Sequence, residues 1–123
     1  VLLAGDEMYV NLNLTKYILE FKIKKEDKLT KDYSFKHFSN YFYSLTIPEG
    51  YHVEYIPDNI NLVNDKYSSA IEYNLEGNQI KYKHYIKLDF LTLDKEEFSV
   101  FNDFIDKLDG AFKESIVLKK DAN

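Results

Sequence analysis

Apolar and polar residues alternate with period two along most of this chain, the pattern of strands with one dry face. Met8, Val10, Leu12 and Leu14 share one phase, with Asn11 and Asn13 on the other. Tyr17, Leu19, Phe21 and Ile23 alternate with Ile18, Glu20, Lys22 and Lys24, and Lys25-Glu26-Asp27-Lys28 reads as a turn. Tyr41, Tyr43, Leu45 and Ile47 alternate with Phe42, Ser44 and Thr46 until Pro48-Glu49-Gly50 ends the run. Proline and glycine punctuate strands in this way because one lacks a donor and the other tolerates positive φ. Tyr51, Val53 and Tyr55 then alternate with His52, Glu54 and Ile56 as far as the turn Pro57-Asp58-Asn59. A short segment, Ile60 to Val63, closes at Asn64-Asp65.

The clearest hairpin follows. Tyr67, Ser69, Ile71, Tyr73 and Leu75 alternate with Ser68, Ala70, Glu72 and Asn74, and Glu76-Gly77-Asn78-Gln79 supplies turn residues. The return strand carries Ile80, Tyr82, His84, Ile86, Leu88 and Phe90 on one face, with Lys81, Lys83, Tyr85, Lys87 and Asp89 on the other. After Thr92 the period changes to that of a helix. Asp94 followed by Glu97 fits a capping box, and Phe98, Phe101, Ile105, Leu108 and Phe112 form one apolar stripe. Gly110 suits the helix end, and Ile116-Val117-Leu118 a final strand. Dry sheet faces must be covered, so the expected fold is mainly β: an antiparallel β-sandwich with one C-terminal α-helix and a short final strand.

Length and composition narrow the classes. The 123 residues fit a single domain spanning 1–123, and 45% apolar content is enough for one core. Eleven tyrosines and nine phenylalanines suit half-buried pleated surfaces. A net charge of −5 argues against nucleic acid as a partner. All sixteen basic residues are lysine, which removes the planar guanidinium fork that reads phosphates and guanine edges. With no cysteine, disulfides, thiolate metal sites and cysteine nucleophiles are excluded from this chain. No apolar run approaches the length of a membrane span, and a start at Val1 without methionine or signal-peptide pattern reads as a piece of something longer.

Candidate chemistry is sparse. His37, His52 and His84 are the residues with an unperturbed pKa near neutrality, and none sits in a metal-binding spacing. His52 falls on a polar phase and reads as solvated. His84 falls beside Tyr82 and Ile86 on an apolar phase, which fits a core or edge histidine better than a ligand or catalytic base. Asp94, Glu96 and Glu97 are accounted for by a helix start, and Asp103 and Asp106 by a solvated helix face. Glu20, Glu54 and Glu72 lie on different predicted strands, so spacing does not decide whether any two meet. No calcium loop, phosphate loop or nucleophile elbow occurs. The expectation is a chain with no catalytic residues, no cofactor and no metal. More informative are Tyr9, Phe42 and Tyr85, aromatic rings among polar neighbours. They mark either an interface, since exposed apolar patches do, or strands partly buried on both faces.

Thr46-Ile47-Pro48-Glu49-Gly50-Tyr51-His52-Val53-Glu54-Tyr55-Ile56-Pro57 resembles a signature of the C-terminal β-domain in bacterial, Bacteroidetes-type transglutaminase-like multidomain proteins. The similarity extends through Glu76-Gly77-Asn78-Gln79-Ile80-Lys81-Tyr82, Lys95-Glu96-Glu97-Phe98 and Ile116-Val117-Leu118-Lys119-Lys120. The resemblance implies an accessory β-sandwich of unknown role, attached to a papain-fold core in the same polypeptide and exported to the periplasm or beyond. Such a core needs a Cys–His pair, so its activity maps onto no residue here. The partners expected are neighbouring domains of the same polypeptide. The other expectation is a binding module whose tyrosines read a carbohydrate or a peptide, each ring offering an apolar face and a polar tip.

Overall fold

The computed structural model describes residues 1–21, 23, 30–32 and 36–122. In chain order its strands are β1 (Leu2–Ala4), β2 (Glu7–Val10), β3 (Thr30–Asp32), β4 (His37–Thr46), β5 (Tyr51–Tyr55), β6 (Ile60–Val63), β7 (Tyr67–Glu76), β8 (Gln79–Leu88), β9 (Thr92–Asp94) and β10 (Ile116–Lys120). Helix α1 (Phe98–Phe112) stands between β9 and β10. The predicted turn at Lys25–Lys28 lies outside the described residues.

The hairpin β7–β8 forms the centre of the longer sheet, whose order is β4-β8-β7-β6. Its register runs without a slip from Tyr67↔Leu88 to Glu76↔Gln79, closed by Gly77 at φ 60. Both β4 and β8 are ten residues long, and they pair along their whole length, from His37↔Leu88 to Thr46↔Gln79. One face of β7 and β8 is dry: Tyr67, Ser69, Ile71, Ile80, Tyr82, His84, Ile86 and Leu88 are all buried. Helix α1 covers that face. Tyr67 meets Phe101 and Phe104 at ring-centroid distances of 5.1 and 4.7 Å, and His84 meets Phe112 at 5.3 Å.

The shorter sheet has the order β1-β2-β10-β5 and is assembled from both ends of the chain. Its register slips between Val117 and Leu118, which pair with Tyr55 and Val53, so Glu54 is the extra residue of a bulge. Val10, Ile116 and Leu118 carry its apolar side into the same core as α1 and the longer sheet. A two-stranded pair, β3–β9, completes the described strands. The architecture is thus mainly β and antiparallel, sandwich-like, with one C-terminal helix and a final strand, as the alternation predicts.

Three local expectations fail. Residues Tyr17–Phe21 form a 3-10 turn rather than a strand. Three residues per turn place Ile18, assigned to the wet phase by alternation, wholly inside at 0% exposure. The stretch Met8–Leu14 is strand only to Val10. There Asn11 Oδ1 accepts the Asn13 N–H at 2.7 Å and the Leu14 N–H reaches the Leu12 carbonyl at 2.9 Å, turning the chain. Asn13 is buried as a result, while Leu14 is left 65% exposed. Gly110 lies within α1 rather than ending it, the helix continuing to Phe112. Its start is as expected: Asp94 donates its N–H to Glu97 Oε1 at 3.2 Å, after which one 3-10 turn leads into α1.

Candidate functional site

Strand register decides which outward rings share a surface, because cross-strand partners lie on the same face. Phe42 pairs with Lys83 and Lys83 with Glu72; Asn40 pairs with Tyr85 and Tyr85 with Ala70. Phe42 and Tyr85 therefore stand on the solvent face of the longer sheet, opposite α1. Phe42 is 67% exposed, with the Lys83 ammonium 5.9 Å from its ring centroid. Tyr85 is half-buried between its neighbours. Lys81, Lys83 and Lys87 follow one another on this face of β8, so a chain of net charge −5 carries a lysine stripe here.

Two shallow depressions follow the stripe. One, of about 370 Å³, is lined by Phe42, Ser44, Glu72, Asn74, Lys81 and Lys83 among others. The second, of about 270 Å³, adds Ala70 and Tyr85 and shares Glu72 and Lys83, so the two form one groove along the sheet. The register also places Phe38 and Val63 on this face, in the row Phe38–Lys87–Ser68–Val63, and both are exposed. Sequence reasoning passed over Phe38 by starting this strand at Tyr41, and it placed Val63 in its short segment without reading it as part of this face. The signal was present in the parity of positions 38 and 42.

Tyr9 is on neither this face nor this sheet. It sits in an outward row of the shorter sheet, Leu2–Tyr9–Val117–Tyr55, and donates its hydroxyl to Glu7 Oε2 at 2.6 Å. That bond, together with the carboxylate's charge, raises the Tyr9 pKa. The three predicted rings thus divide into two surfaces.

The histidines separate similarly. His84 is 1% exposed, and burial lowers its pKa to about 4. The Ser69 hydroxyl donates to the Tyr85 carbonyl at 2.8 Å, which leaves its lone pair to accept from His84 Nε2 at 3.3 Å. Nε2 accordingly carries the proton of a neutral ring. Ser69 is itself 0% exposed, so no substrate reaches this Ser–His pair, and it serves the core. His52 is exposed as expected, with Nδ1 2.7 Å from Asp121 Oδ1 and Nε2 3.6 Å from Glu54 Oε2. His37 is half-buried with Nε2 2.9 Å from Ser39 Oγ, and burial lowers its pKa. Glu20, Glu54 and Glu72 fall on the 3-10 turn, the shorter sheet and the longer sheet.

A buried polar cluster joins the two sheets. Tyr82 donates its hydroxyl to Asn13 Oδ1 at 2.7 Å, and Asn13 Nδ2 faces the Tyr73 hydroxyl and the carbonyls of Ala111 and Glu114, each at 3.4 Å. Burial, then the neighbouring Tyr73 and Tyr43, push the Tyr82 pKa far up, so this hydroxyl stays protonated and donates. Outside the cluster a cleft of about 370 Å³ opens between β6, β7 and the last turns of α1, with Ile60, Leu62 and Tyr73 on its walls and Lys107 and Glu114 at its rim. Among the described residues no buried side-chain nitrogen or oxygen lacks a hydrogen-bond partner, and no helix is long and apolar enough to cross a membrane.

The fold and its surfaces define an antiparallel β domain with one helix, its outward rings divided between two sheets. Residues 6–118 match the family described as a domain of unknown function, DUF3858, and the chain belongs to that family. No curated protein and no solved structure matches the chain.

Proposed function

We propose that this chain is a non-catalytic accessory domain of a longer, exported polypeptide, packed beside a transglutaminase-like core. The observation that carries the proposal is the outer face of the longer sheet, where Phe42, Phe38 and Tyr85 interleave with the β8 lysines. Exposed rings of this kind mark interaction surfaces, and the lysines beside them fit a partner with an acidic rim. The signature running from Thr46 to Pro57 supports the parentage: it lies in the β4–β5 connection and β5, where its residues turn the chain rather than perform chemistry. Of two Ser–His contacts among the described residues, Ser69–His84 at 3.3 Å is sealed in the core, and Ser39–His37 at 2.9 Å stands half-buried on β4.

The test begins with the reading frame that encodes the chain. A Cys- and His-bearing transglutaminase-like core upstream, with an export signal at its start, is the expected result. A stand-alone frame or an unrelated neighbour would overturn the parentage. With the core in hand, mixing it with this chain and with a Phe42→Ser variant locates the contact, the variant binding more weakly if the outer face is used.

The groove favours a second reading, a carbohydrate- or peptide-binding module. Phe42 and Tyr85 provide stacking surfaces, and Glu72, Asn74, Lys81 and Lys83 provide polar groups that converge on them. Glycan and peptide arrays probed with the chain decide it, and silence on both would sink it.

A further inference from the structure

We propose that the cleft between β6, β7 and the last turns of α1 binds a primary alkylammonium, the chemistry that a lysine side chain or a free amine presents. The stem lies on the cleft's aliphatic wall, and the ammonium meets the carboxylates of Asp58 and Glu114. The cleft is on the helix side of the longer sheet, away from its outer face, and the inference does not rest on the accessory-domain reading.

Both sheets and the helix contribute walls. Tyr55 stands at the end of β5 in the shorter sheet, Asp58 on the loop that follows it, and Lys107, Gly110 and Glu114 on α1 or just beyond. Ile60, Leu62 and Ile71 give the cleft an aliphatic side. The loop is held in place: Pro57 is buried, and Asn59 Oδ1 accepts the Tyr73 N–H at 2.7 Å. A volume of about 370 Å³ lies in the range of preformed small-molecule sites. On the helix side Gly110 keeps the wall open. A Cβ there would meet nothing within 4 Å, so packing does not call for glycine, which weakens a helix relative to alanine. The cleft is at the opposite end of α1 from Asp94, where β9 pairs with Thr30.

The polar groups on these walls select the occupant. Tyr55 donates its hydroxyl to Glu114 Oε2 at 3.2 Å, which commits its proton and leaves its oxygen to accept. Burial, then the Glu114 bond and the charges of Glu114 and Asp58, raise the Tyr55 pKa, so both carboxylates bear on this one hydroxyl. Burial raises the Tyr73 pKa too; the Asn13 bond offsets part of this, and the Glu114 charge adds to it. Lys107, the cation on these walls, is turned to Asp103, with Nζ 3.3 Å from Oδ2. An ammonium is a pure donor, with three N–H groups and no acceptor. It suits two carboxylates flanked by a tyrosine oxygen, and a short alkyl stem suits the aliphatic wall beside them. An anionic ligand would meet like charges, and a neutral one would forgo them.

The experiment is a titration of the isotope-labelled full chain, read by amide NMR shifts. The probes are Nα-acetyl-lysine methylamide, its norleucine counterpart, which keeps the stem and lacks the ammonium, and n-pentylammonium. The expected result is millimolar or tighter binding of the lysine compound, with shifts at Tyr55, Asp58, Tyr73 and Gly110, and roughly tenfold weaker binding of the norleucine compound. Glu114→Gln keeps an acceptor for Tyr55 but removes the charge, and should weaken lysine binding about tenfold. Gly110→Leu places a side chain on the wall and should weaken it at least as much. Glu49→Gln removes the same charge beyond the far end of β5 and should leave it unchanged. A tighter lysine compound names a peptide as the source, and a tighter n-pentylammonium a free amine; either keeps the site. No shifts with either amine, or equal binding of the lysine and norleucine compounds, overturns the proposal. So does binding that Glu114→Gln weakens no more than Glu49→Gln, since that would reduce it to the net charge of the chain. Shifts clustered elsewhere, or binding that survives Gly110→Leu, would overturn the location. Glu49, Gly110 and Glu114 are exposed, so the fold is expected to be kept, and the amide spectrum of each variant reports it.

Discussion

The two four-stranded sheets are built on different terms. In the longer one, three strands of ten residues pair without a slip, and a two-residue loop sets the register of its central hairpin. In the shorter one, strands of three to five residues come from positions as distant as Leu2 and Lys120, and the register shifts at Val117. A register set by a turn is local and closes little chain; a register between the two ends of the chain must be imposed by packing and side-chain ties. Those ties can be named. Asn11 Nδ2 donates to the Phe112 carbonyl at 2.8 Å, and Asn13 accepts from Tyr82, so the segment after β2 is fastened both to the helix and to the longer sheet.

The largest effect is expected where the helix serves both sheets. Phe112 packs on His84 with its ring and holds Asn11 with its carbonyl. Phe112→Ala should cost about 3–5 kcal/mol in urea unfolding. Because the carbonyl remains, amide exchange should show the longer sheet losing protection no later than the shorter; the reverse order would break the assignment of Phe112 to the longer sheet.

Next comes pH. The pKa of His84 is about 4 in the fold against an ordinary 6.5, so between these values the unfolded chain takes up a proton that the folded chain refuses. This histidine's contribution is complete above pH 6.5 and falls as pH drops toward 4, by up to about 3 kcal/mol. A stability profile of His84→Gln should lack that slope, and an unchanged slope would remove His84 as its cause.

Asn13→Ala should cost about 1–3 kcal/mol, because it strands the buried Tyr82 hydroxyl without an acceptor. Asn13→Ala combined with Tyr82→Phe should recover part of that loss, which a double-mutant cycle measures directly. The smallest effect tests the local side of the comparison. Gly77 has φ 60 and open space around it, so Gly77→Ala pays only backbone strain, about 1–2 kcal/mol. A much larger loss would mean that the hairpin register depends on more than its turn.

Much of the longer sheet was legible because its residues satisfy one rule repeatedly. From Tyr67 to Leu88 every second residue is apolar or neutral on the inner face, and the observed strands end within two residues of the expected limits. The rings Phe42 and Tyr85 could be singled out from phase alone, but not joined into a surface with Phe38, since that required the register of β4 on β8. Between Asn11 and Ile23 the rule misled. Asn13 is buried by partners 60 or more positions away, and Ile23 has both backbone groups held by Asn102, its N–H by Oδ1 and its carbonyl by Nδ2, each at 2.8 Å. An asparagine standing in for a neighbouring strand leaves no periodic mark in sequence.

By itself, then, the sequence determined the strand-rich composition of this protein, its central hairpin, the helix with its acidic start, and a family signature laid along β5. These are properties of neighbouring residues, set by the alternation of side chains and by the conformations that glycine and proline allow. Only the tertiary structure decided that Tyr9 and Phe42 belong to different surfaces and that His84 is a neutral core residue. Each of those depends on which distant strand lies alongside, and pairing between strands far apart in the chain is fixed by burial and hydrogen bonding in the assembled core.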